Sequence, residues 1–524
     1  MNQTIHVIDG LWLFQSAQSG PQHPCNGYIL ENSGMVCLID PPADLTRGVV
    51  LAAAGRNQVE HVFLTHTQAE HGAGISNFPE AIVHVPQGDE YLSCGYAAYE
   101  VMVTQWEKPW DWETRGNFQG HLAGAKNERP LAFPVSLGSS LKAGEAVFGF
   151  EVVGTPGHGK NAVTLLVTIC GMRVAFCGDL IYGDGQIWNW FDADWDYGNQ
   201  SGQTSLRLSA QRLIGLSPDF LCPAHGPAIR EPAKSLALLD RHLAAVLENP
   251  AGEVPRALNF PDVESPAPGW RVITPHIYQW KTGNNIVVTS DNGRAIVIDD
   301  GLCIWEPLPQ RIEKHDAIFL AIKAALGIRY IDWIIPTHYH GDHTEFIPHL
   351  VEIEGARVIA LDSVSGPMEF PERYNLSCPL PWYGTVAERL SIHEKVPEGH
   401  VLKWCGYEFT FFHLGGQTRH HLGVEAVIDG LKVLFVGDAW SGTATAPNPV
   451  LCWNEADPLD GGWPYACDRM IVRQPDLLVC GHGAALLDPV PYLQAARDAW
   501  DTRILDFAKL NPRESTGLFF NPFL

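Results

Sequence analysis

Short, uninterrupted apolar runs recur along the chain, and each ends in a polar cluster. Val62-Phe63-Leu64 precedes THTQAEH (65–71), Val174-Ala175-Phe176 precedes Gly178-Asp179, and Phe220-Leu221 precedes His225. Trp333-Ile334-Ile335 precedes THYHGDH (337–343), Val433-Leu434-Phe435 precedes Gly437-Asp438, and Leu477-Leu478-Val479 precedes His482. Runs of this length without polar alternation suit strands buried on both faces. The polar residues then fall where buried strands end in loops, the usual place for a site on a rigid scaffold. A helical period appears in EPAKSLALLDRHLAAVLEN (231–249), with Leu236, Leu239, Leu243 and Val246 on one side. HDAIFLAIKAALGI (315–328) reads as a helix followed by a glycine stop. Between them, NPAGEVPRALNFPDVESPAPGW (249–270) carries five prolines and predicts an extended linker, with a domain boundary near residue 260.

The apolar runs belong to a repeat that crosses this boundary. GMVCLIDPP (34–42) matches GRAIVIDDG (293–301), and VEHVFLTHTQAEH (59–71) matches IDWIIPTHYHGDH (331–343). RVAFCGDL (173–180) matches KVLFVGDA (432–439), and SPDFLCPAHG (217–226) matches QPDLLVCGHG (474–483). The pairs Asp40/Asp299, His66/His338, Asp179/Asp438 and His225/His482 keep their order, with offsets of 259, 272, 259 and 257. Four collinear matches predict a duplicated domain, with 1–258 and 259–524 as the two copies. The larger offset is absorbed by the helix at 315–328, whose counterpart LTRGVVLAAAG (45–55) is shorter.

Composition narrows the partners. The 524 residues are too many for one ordinary core, and 46% hydrophobic content is that of a globular protein. A formal charge of −24, from 35 basic and 59 acidic residues, argues against nucleic acid as a partner. No basic region followed by a long apolar stretch opens the chain, and no run approaches eighteen apolar residues, so neither export nor a membrane span is expected. The twelve cysteines are scattered, with no CxxC, and read as free thiols of a cytoplasmic protein. Cys177 and Cys480, beside site residues, read as small buried fillers. Trp188, Trp190 and Trp195 in GQIWNWFDADWDYG either line a pocket or pack a long loop.

The second copy carries the fuller chemistry. Neutral imidazoles give lone pairs to a metal and carboxylates add charge. In THYHGDH, His338 and His340 point the same way in an extended segment, and Asp342 and His343 sit on the turn that follows, so one stretch can feed two neighbouring metals. Asp438 offers a bridging carboxylate at a strand end, and His482 lies between two glycines that let the backbone approach closely. One more ligand is expected from HLGGQTRHHLG (413–423), with His421 preferred over His420 and His420 over His413.

HxHxDH (His338, His340, Asp342, His343), a histidine after a Gly-Gly turn, GD (Asp438) and GHG (His482) together resemble the metallo-β-lactamase superfamily, once per half and over nearly the whole chain. The resemblance implies an α/β fold of two tandem four-layer αββα sandwiches, each with its metals at one edge. It implies a first metal on His338, His340 and His421, a second on Asp342, His343 and His482, and Asp438 bridging both. Many members have PGH where this chain has GGQ with Gln417. The variant PGQTxxHxG is closer and favours His421. The implied cofactors are two divalent ions, zinc first and iron or manganese as alternatives. The implied reaction is attack by a metal-activated water, with Asp342 and Asp438 as the catalytic carboxylates.

The first copy keeps His66, His71, His158, Asp179 and His225 but has Gln68 and Glu70 in place of a histidine and an aspartate. Gln68 offers a weak neutral oxygen, which should hurt the first-metal position most. Glu70 keeps its charge but moves it by a methylene. His66, Glu70, His71, His158, Asp179 and His225 are a possible second, weaker metal site, and three readings stay open: a structural pseudo-domain, a single metal on Glu70, His71, Asp179 and His225, or a second catalytic site with altered preference. The expected function is hydrolysis of a small-molecule ester, thioester, lactone or amide. Iron-based oxygen or redox chemistry on the same fold is the alternative, and a scaffold that only binds a metal or metabolite is a third reading. Specificity is expected in loops 86–135 and 362–400, which carry no readable motif, and the sequence sets no oligomeric state.

Overall fold

The computed structural model describes residues 3–16, 25–32, 34–95, 131–188, 201–248, 265–301, 308–374, 389–440 and 461–510, with 98 and 193 as isolated positions. It divides into two compact units, Met1–Asn249 joined by the chain from Leu505, and Pro250–Ile504. The predicted linker lies mostly outside the described residues, as do Trp190 and Trp195. The end of the last helix, Val490–Leu510, groups with the first unit, whereas the sequence repeat places it in the second. There Ile187 N donates to Leu510 O at 3.0 Å.

The first unit contains two sheets. One runs β1 (Gln3–Ile8), β2 (Leu11–Gln15), β3 (Asn26–Asn32), β4 (Met35–Ile39), β5 (His61–Phe63) and β6 (Ile82–His84), in sequence order. It is antiparallel up to β4 and parallel from β4 to β6. The other runs β7 (Ala146–Val147), β8 (Phe150–Gly154), β9 (Val163–Ile169), β10 (Met172–Gly178) and β11 (Phe220–Pro223), with only the β10–β11 pair parallel.

The second unit repeats the plan. Its first sheet is β12 (Trp270–Thr274), β13 (Ile277–Trp280), β14 (Asn284–Thr289), β15 (Arg294–Gly301), β16 (Tyr330–Ile335), β17 (Arg357–Leu361) and β18 (Glu394–Val396). Its second is β19 (Val401–Trp404), β20 (Tyr407–His413), β21 (Leu422–Ile428), β22 (Leu431–Gly437), β23 (Leu477–Cys480) and β24 (Leu486–Leu487). Again β15–β16, β16–β17 and β22–β23 are the parallel pairs that lead into site loops.

Both faces of these sheets are covered, which is why their strands lack alternation. In the first unit, Tyr28, Leu30, Ile39 and Phe63 meet Phe150, Leu165, Val167 and Phe176 of the facing sheet in one core. Their sequence neighbours Ile29, Leu38 and Val62 turn outward and pack with Val50 of the helix Arg47–Ala54 in another. In the second unit the inner core joins Ile296, Ile298 and Ile335 to Phe411, Val433 and Val479. An outer core packs Leu434, Val436 and Leu478 against Trp463, Met470 and Trp500. These are the helix–sheet–sheet–helix layers. The two predicted helices are present at Pro232–Glu248, with Leu236, Leu239, Leu243 and Val246 buried, and at Leu308–Leu326, which stops at Gly327 with φ +65°.

Candidate metal centre

In the second unit the parallel strands deliver their C-terminal ends to one edge. After β16, Thr337–His343 closes in a short helical turn, where the His343 and Thr344 N–H groups donate to His340 O at 3.0 and 3.1 Å. That turn packs onto the end of β15. A Cβ on Gly301 would lie 1.7 Å from Asp342 O, so only glycine permits the approach.

The tautomers are set from behind. His338 Nδ1–H donates to Thr337 Oγ1 (3.0 Å), whose hydroxyl donates to Asp299 Oδ2 (2.7 Å). His343 Nδ1–H donates to the same Asp299 oxygen at 2.8 Å. His421 Nδ1–H donates to Leu422 O at 3.0 Å. Each ring therefore turns its Nε2 inward, free in His338 and His343 and accepting the Asp438 N–H in His421, as outer-shell support of metal-binding histidines does. Burial, then the neighbouring imidazoles, holds His338 well below the ordinary histidine range, and burial takes His421 to about 3. Both rings are thus neutral and ready to ligate.

The carboxylates face these nitrogens. Asp438 Oδ1 lies 3.2 Å from His343 Nε2, and its Oδ2 lies 3.5 Å from His482 Nε2. Asp342 Oδ2 lies 3.2 Å from His482 Nε2. Two overlapping groups result, His338/His343/Asp438 and Asp342/His343/His482, each with ligand atoms within 4.8 Å of one another. His338 Nε2, His343 Nε2 and Asp438 Oδ1 are buried without a hydrogen-bond partner, which fits cation ligands and is costly otherwise. Burial raises the Asp438 carboxyl, but His482 and His343 outweigh it and hold the group below the usual carboxylate range.

Of the three candidate histidines in 413–423, His421 lies beside His338. The His421 ring stacks on His338 at 4.6 Å and 16°, and the Asp438 N–H donates to His421 Nε2 at 3.2 Å. His340 lies 4.4 Å from His338, ring to ring. His420 instead faces Tyr374 and Tyr339, at 5.6 and 6.4 Å. His413 is tied to Arg419 O by Nε2 at 2.6 Å. The seven residues that the resemblance assigns to two metals therefore lie together, and the two competing histidines point elsewhere.

The first unit gathers its retained residues around Asp179, which sits at the end of β10. Asp179 Oδ2 faces His71, His158 and His66 Nε2 at 3.4, 3.5 and 3.7 Å, while its Oδ1 accepts from His225 Nδ1–H at 2.8 Å. His66 repeats the same support: Nδ1–H donates to Thr65 Oγ1 (3.1 Å), which donates to Asp40 Oδ2 (2.7 Å). Gln68 Oε1 lies 3.4 Å from His158 Nε2. Trp188 stacks flat on His225 at 4.1 Å and 6°. Cys177 and Cys480 are buried, as read from the sequence.

Several supporting residues carry no motif of their own. Asp299 and Asp40 adopt positive φ, +53° and +48°, at matching positions. Thr337 and Thr65 match as well, and their retention in both copies is the signal that marks them. Asn284 is retained as Asn26 but used differently: Asn284 Nδ2 donates to Asp342 O (3.0 Å) and Asp342 Oδ2 (3.2 Å), whereas Asn26 Nδ2 donates to Pro223 O (3.0 Å) and Gly226 O (2.6 Å). Gly481 is required too, because a Cβ there would fall 2.6 Å from His343 Cε1 and 2.7 Å from Asp438 Oδ1.

The family model of the metallo-beta-lactamase superfamily matches residues 20–225 and again 278–482. Among solved structures, the chain is similar to a Cronobacter sakazakii metallo-beta-lactamase with a HARLDQ motif, at 16% identity over 47% of this chain and 96% of that one, TM-score 0.35. It is similar to BJP-1, a subclass B3 metallo-beta-lactamase of Bradyrhizobium japonicum, at 18% identity over 49% and 97%, TM-score 0.32. A metallo-beta-lactamase family protein of Thermus thermophilus matches at 21% identity over 46% and 82%, TM-score 0.35. No curated protein matches significantly.

Proposed function

Because the chain belongs to the metallo-beta-lactamase superfamily, we propose that its second unit is a binuclear metallo-hydrolase acting on a small-molecule ester, thioester, lactone or amide. The observation that carries this reading is the pair of ligand groups sharing His343, with every supporting Nδ1–H turned away from the site. His338, His340, His421 and Asp438 would hold one ion, and Asp342, His343, His482 and Asp438 the other. The ions, when bound, supply Lewis acidity and an activated water.

The chain's own groups do the rest. Asn284 Nδ2 holds Asp342 Oδ2, fixing a carboxylate that orients a nucleophile and takes up its proton. The histidine cluster is buried, but the His482 side chain is 44% exposed and Asp342 17%, so the site opens to solvent on their side. Substrate approaches there. The −24 charge disfavours polyanionic substrates, which supports a small and weakly charged one. Among the described residues no helix is long and apolar enough to cross a membrane.

The test is a panel of chromogenic esters, thioesters, lactones and phosphodiesters assayed with zinc- and iron-loaded protein. Turnover with zinc that disappears in His338→Ala and Asp438→Asn supports the proposal. Activity only in iron-loaded protein, with oxygen uptake, would replace it with redox chemistry. Native activity in His338→Ala would remove the site from catalysis.

A further inference from the structure

In the first unit, one carboxylate oxygen faces three imidazole nitrogens. Asp179 Oδ2 stands 3.4 Å from His71 Nε2, 3.5 Å from His158 Nε2 and 3.7 Å from His66 Nε2. Those separations are long for hydrogen bonds. They approach the edge of a tetrahedron of metal bonds, about 3.3–3.4 Å for bonds near 2.0–2.1 Å. Asp179 Oδ2, His66 Nε2 and His71 Nε2 are buried and have no hydrogen-bond partner. Three such orphans at one point are expensive unless a cation compensates them. His66, His71 and Asp179 also form a group with ligand atoms mutually within 4.8 Å.

The second-metal side of this unit is rearranged. His482 turns Nε2 toward both carboxylates of its own site. His225, its counterpart, turns Nδ1 to Asp179 Oδ1 at 2.8 Å and lies flat under Trp188, so it orients the carboxylate. The strand position that carries Asn284 in the second copy carries Asn26 in the first. Asn284 ties down the Asp342 carboxylate, whereas Asn26 Nδ2 donates instead to the backbone oxygens of Pro223 (3.0 Å) and Gly226 (2.6 Å). Among the described residues, neither Glu70 nor His158 belongs to a group of ligand atoms mutually within 4.8 Å, but His158 Nε2 lies 3.5 Å from Asp179 Oδ2, and Gln68 Oε1 lies 3.4 Å from the same nitrogen.

We propose that the first unit holds a single divalent ion on His66, His71, His158 and Asp179, with His225 as a positioning residue, and that this ion is structural. Three imidazoles and one carboxylate in a four-coordinate cage suit zinc. The cage is closed: the His66, His71, His158 and Asp179 side chains are at most 3% exposed, and that of His225 is 2% exposed against 44% for His482. A closed four-ligand site has no position left for a water or substrate. Its ion ties the ends of β5, β10 and the β8–β9 loop together, and so stabilises the unit by mass action. Gln68, which removes a ligand from one metal position, is compatible with this arrangement because His71 takes the vacant role. The proposal does not rest on the reading of the second unit, which contributes its own ions.

Metal counting on the full chain tests it. After dialysis against buffer, the wild type should retain three ions per chain by mass spectrometry. His338→Ala/His343→Ala should retain one, and His66→Ala/His71→Ala should retain two with a lowered first melting transition. Cobalt substituted into the His338→Ala/His343→Ala protein should show the strong visible bands of a tetrahedral ion. Glu70→Gln, a mild change, should keep the first-unit ion. An ion-free His338→Ala/His343→Ala protein would overturn the proposal. Loss of the ion in Glu70→Gln would overturn the ligand set. A weak six-coordinate cobalt spectrum would overturn the closed, structural assignment. Failure of the second-unit reading alone would show as lost ions in the wild type with the single first-unit ion still present.

Discussion

Gly437 sits between the two supports of the first-metal position, and replacing it with alanine separates backbone strain from site damage. Its φ is +46°, and an added Cβ would fall 2.4 Å from Thr337 Oγ1 and 2.8 Å from His421 Cε1 and Nε2. The first approach is about 1 Å inside ordinary van der Waals contact and the second about 0.6 Å. Neither neighbour yields freely. The Thr337 hydroxyl is held between Asp299 and His338, and His421 is pinned by Leu422 O on one side and the His338 ring on the other. A displacement of this size at a reacting centre costs about 100-fold, and disturbing an outer-shell partner costs about 10–100-fold in metal affinity. The left-handed backbone adds roughly 1–2 kcal/mol. Gly430 is the control, because its φ is +79° and nothing lies within 4 Å of an added Cβ. Gly430→Ala should lower the melting temperature by a few degrees and leave metal binding unchanged. Gly437→Ala should show a comparable loss of stability and a 10–100-fold weaker dissociation constant for one ion, measured by competition with a chromophoric chelator. Wild-type affinity in Gly437→Ala, or an equal loss in Gly430→Ala, would refute the steric argument.

Other predictions follow from the same contacts. Thr337→Val removes the hydroxyl that fixes the His338 tautomer, so metal affinity should fall by about 10–100-fold, and the buried His338 Nδ1–H left unpaired should cost about 1–3 kcal/mol of stability; unchanged affinity in a chelator titration would contradict it. His276, half-buried, has its affinity for protons raised by its bond to Asp429 at 2.6 Å, a link between the two sheets of the second unit. The stabilisation is therefore full below about pH 6.5 and is lost as pH rises through the raised value. His276→Ala should then cost up to about 1 kcal/mol at pH 6 and less at pH 9, as seen in paired thermal melts. Equal costs at both pH values would count against it. Trp270 is fully buried against Trp280 and Phe319, so Trp270→Ala should destabilise the second unit by about 3–5 kcal/mol in denaturant titration.

Much of this protein was legible in its sequence. Duplication showed in four collinear matches, because a repeated fold needs the same buried strands and the same strand ends. The side chains that could hold metal showed in THYHGDH, because strand period and a following turn are local properties. His338, His340, Asp342, His343, Asp438 and His482 needed no structure to be grouped. The damaged copy was visible too, at Gln68 and Glu70.

What remained belonged to tertiary structure. His420 and His421 are adjacent and of one type, yet only the packing of β21 against β22 turns His421 onto His338 and leaves His420 against Tyr374. The sequence left three readings of the first unit open, one of them a single metal on Glu70, His71, Asp179 and His225; the folded chain aims His66, His71 and His158 at one oxygen of Asp179. Asn284 and Asn26 are the same residue at matching strand positions, yet only Asn284 reaches an aspartate of its site, while Asn26 binds backbone carbonyls. The physical reason is common to all three cases. Spacing along a strand or turn decides which side chains share a face. Which nitrogen of a ring points inward, and whether groups from four distant strand ends meet within bonding distance, depends on how two sheets pack.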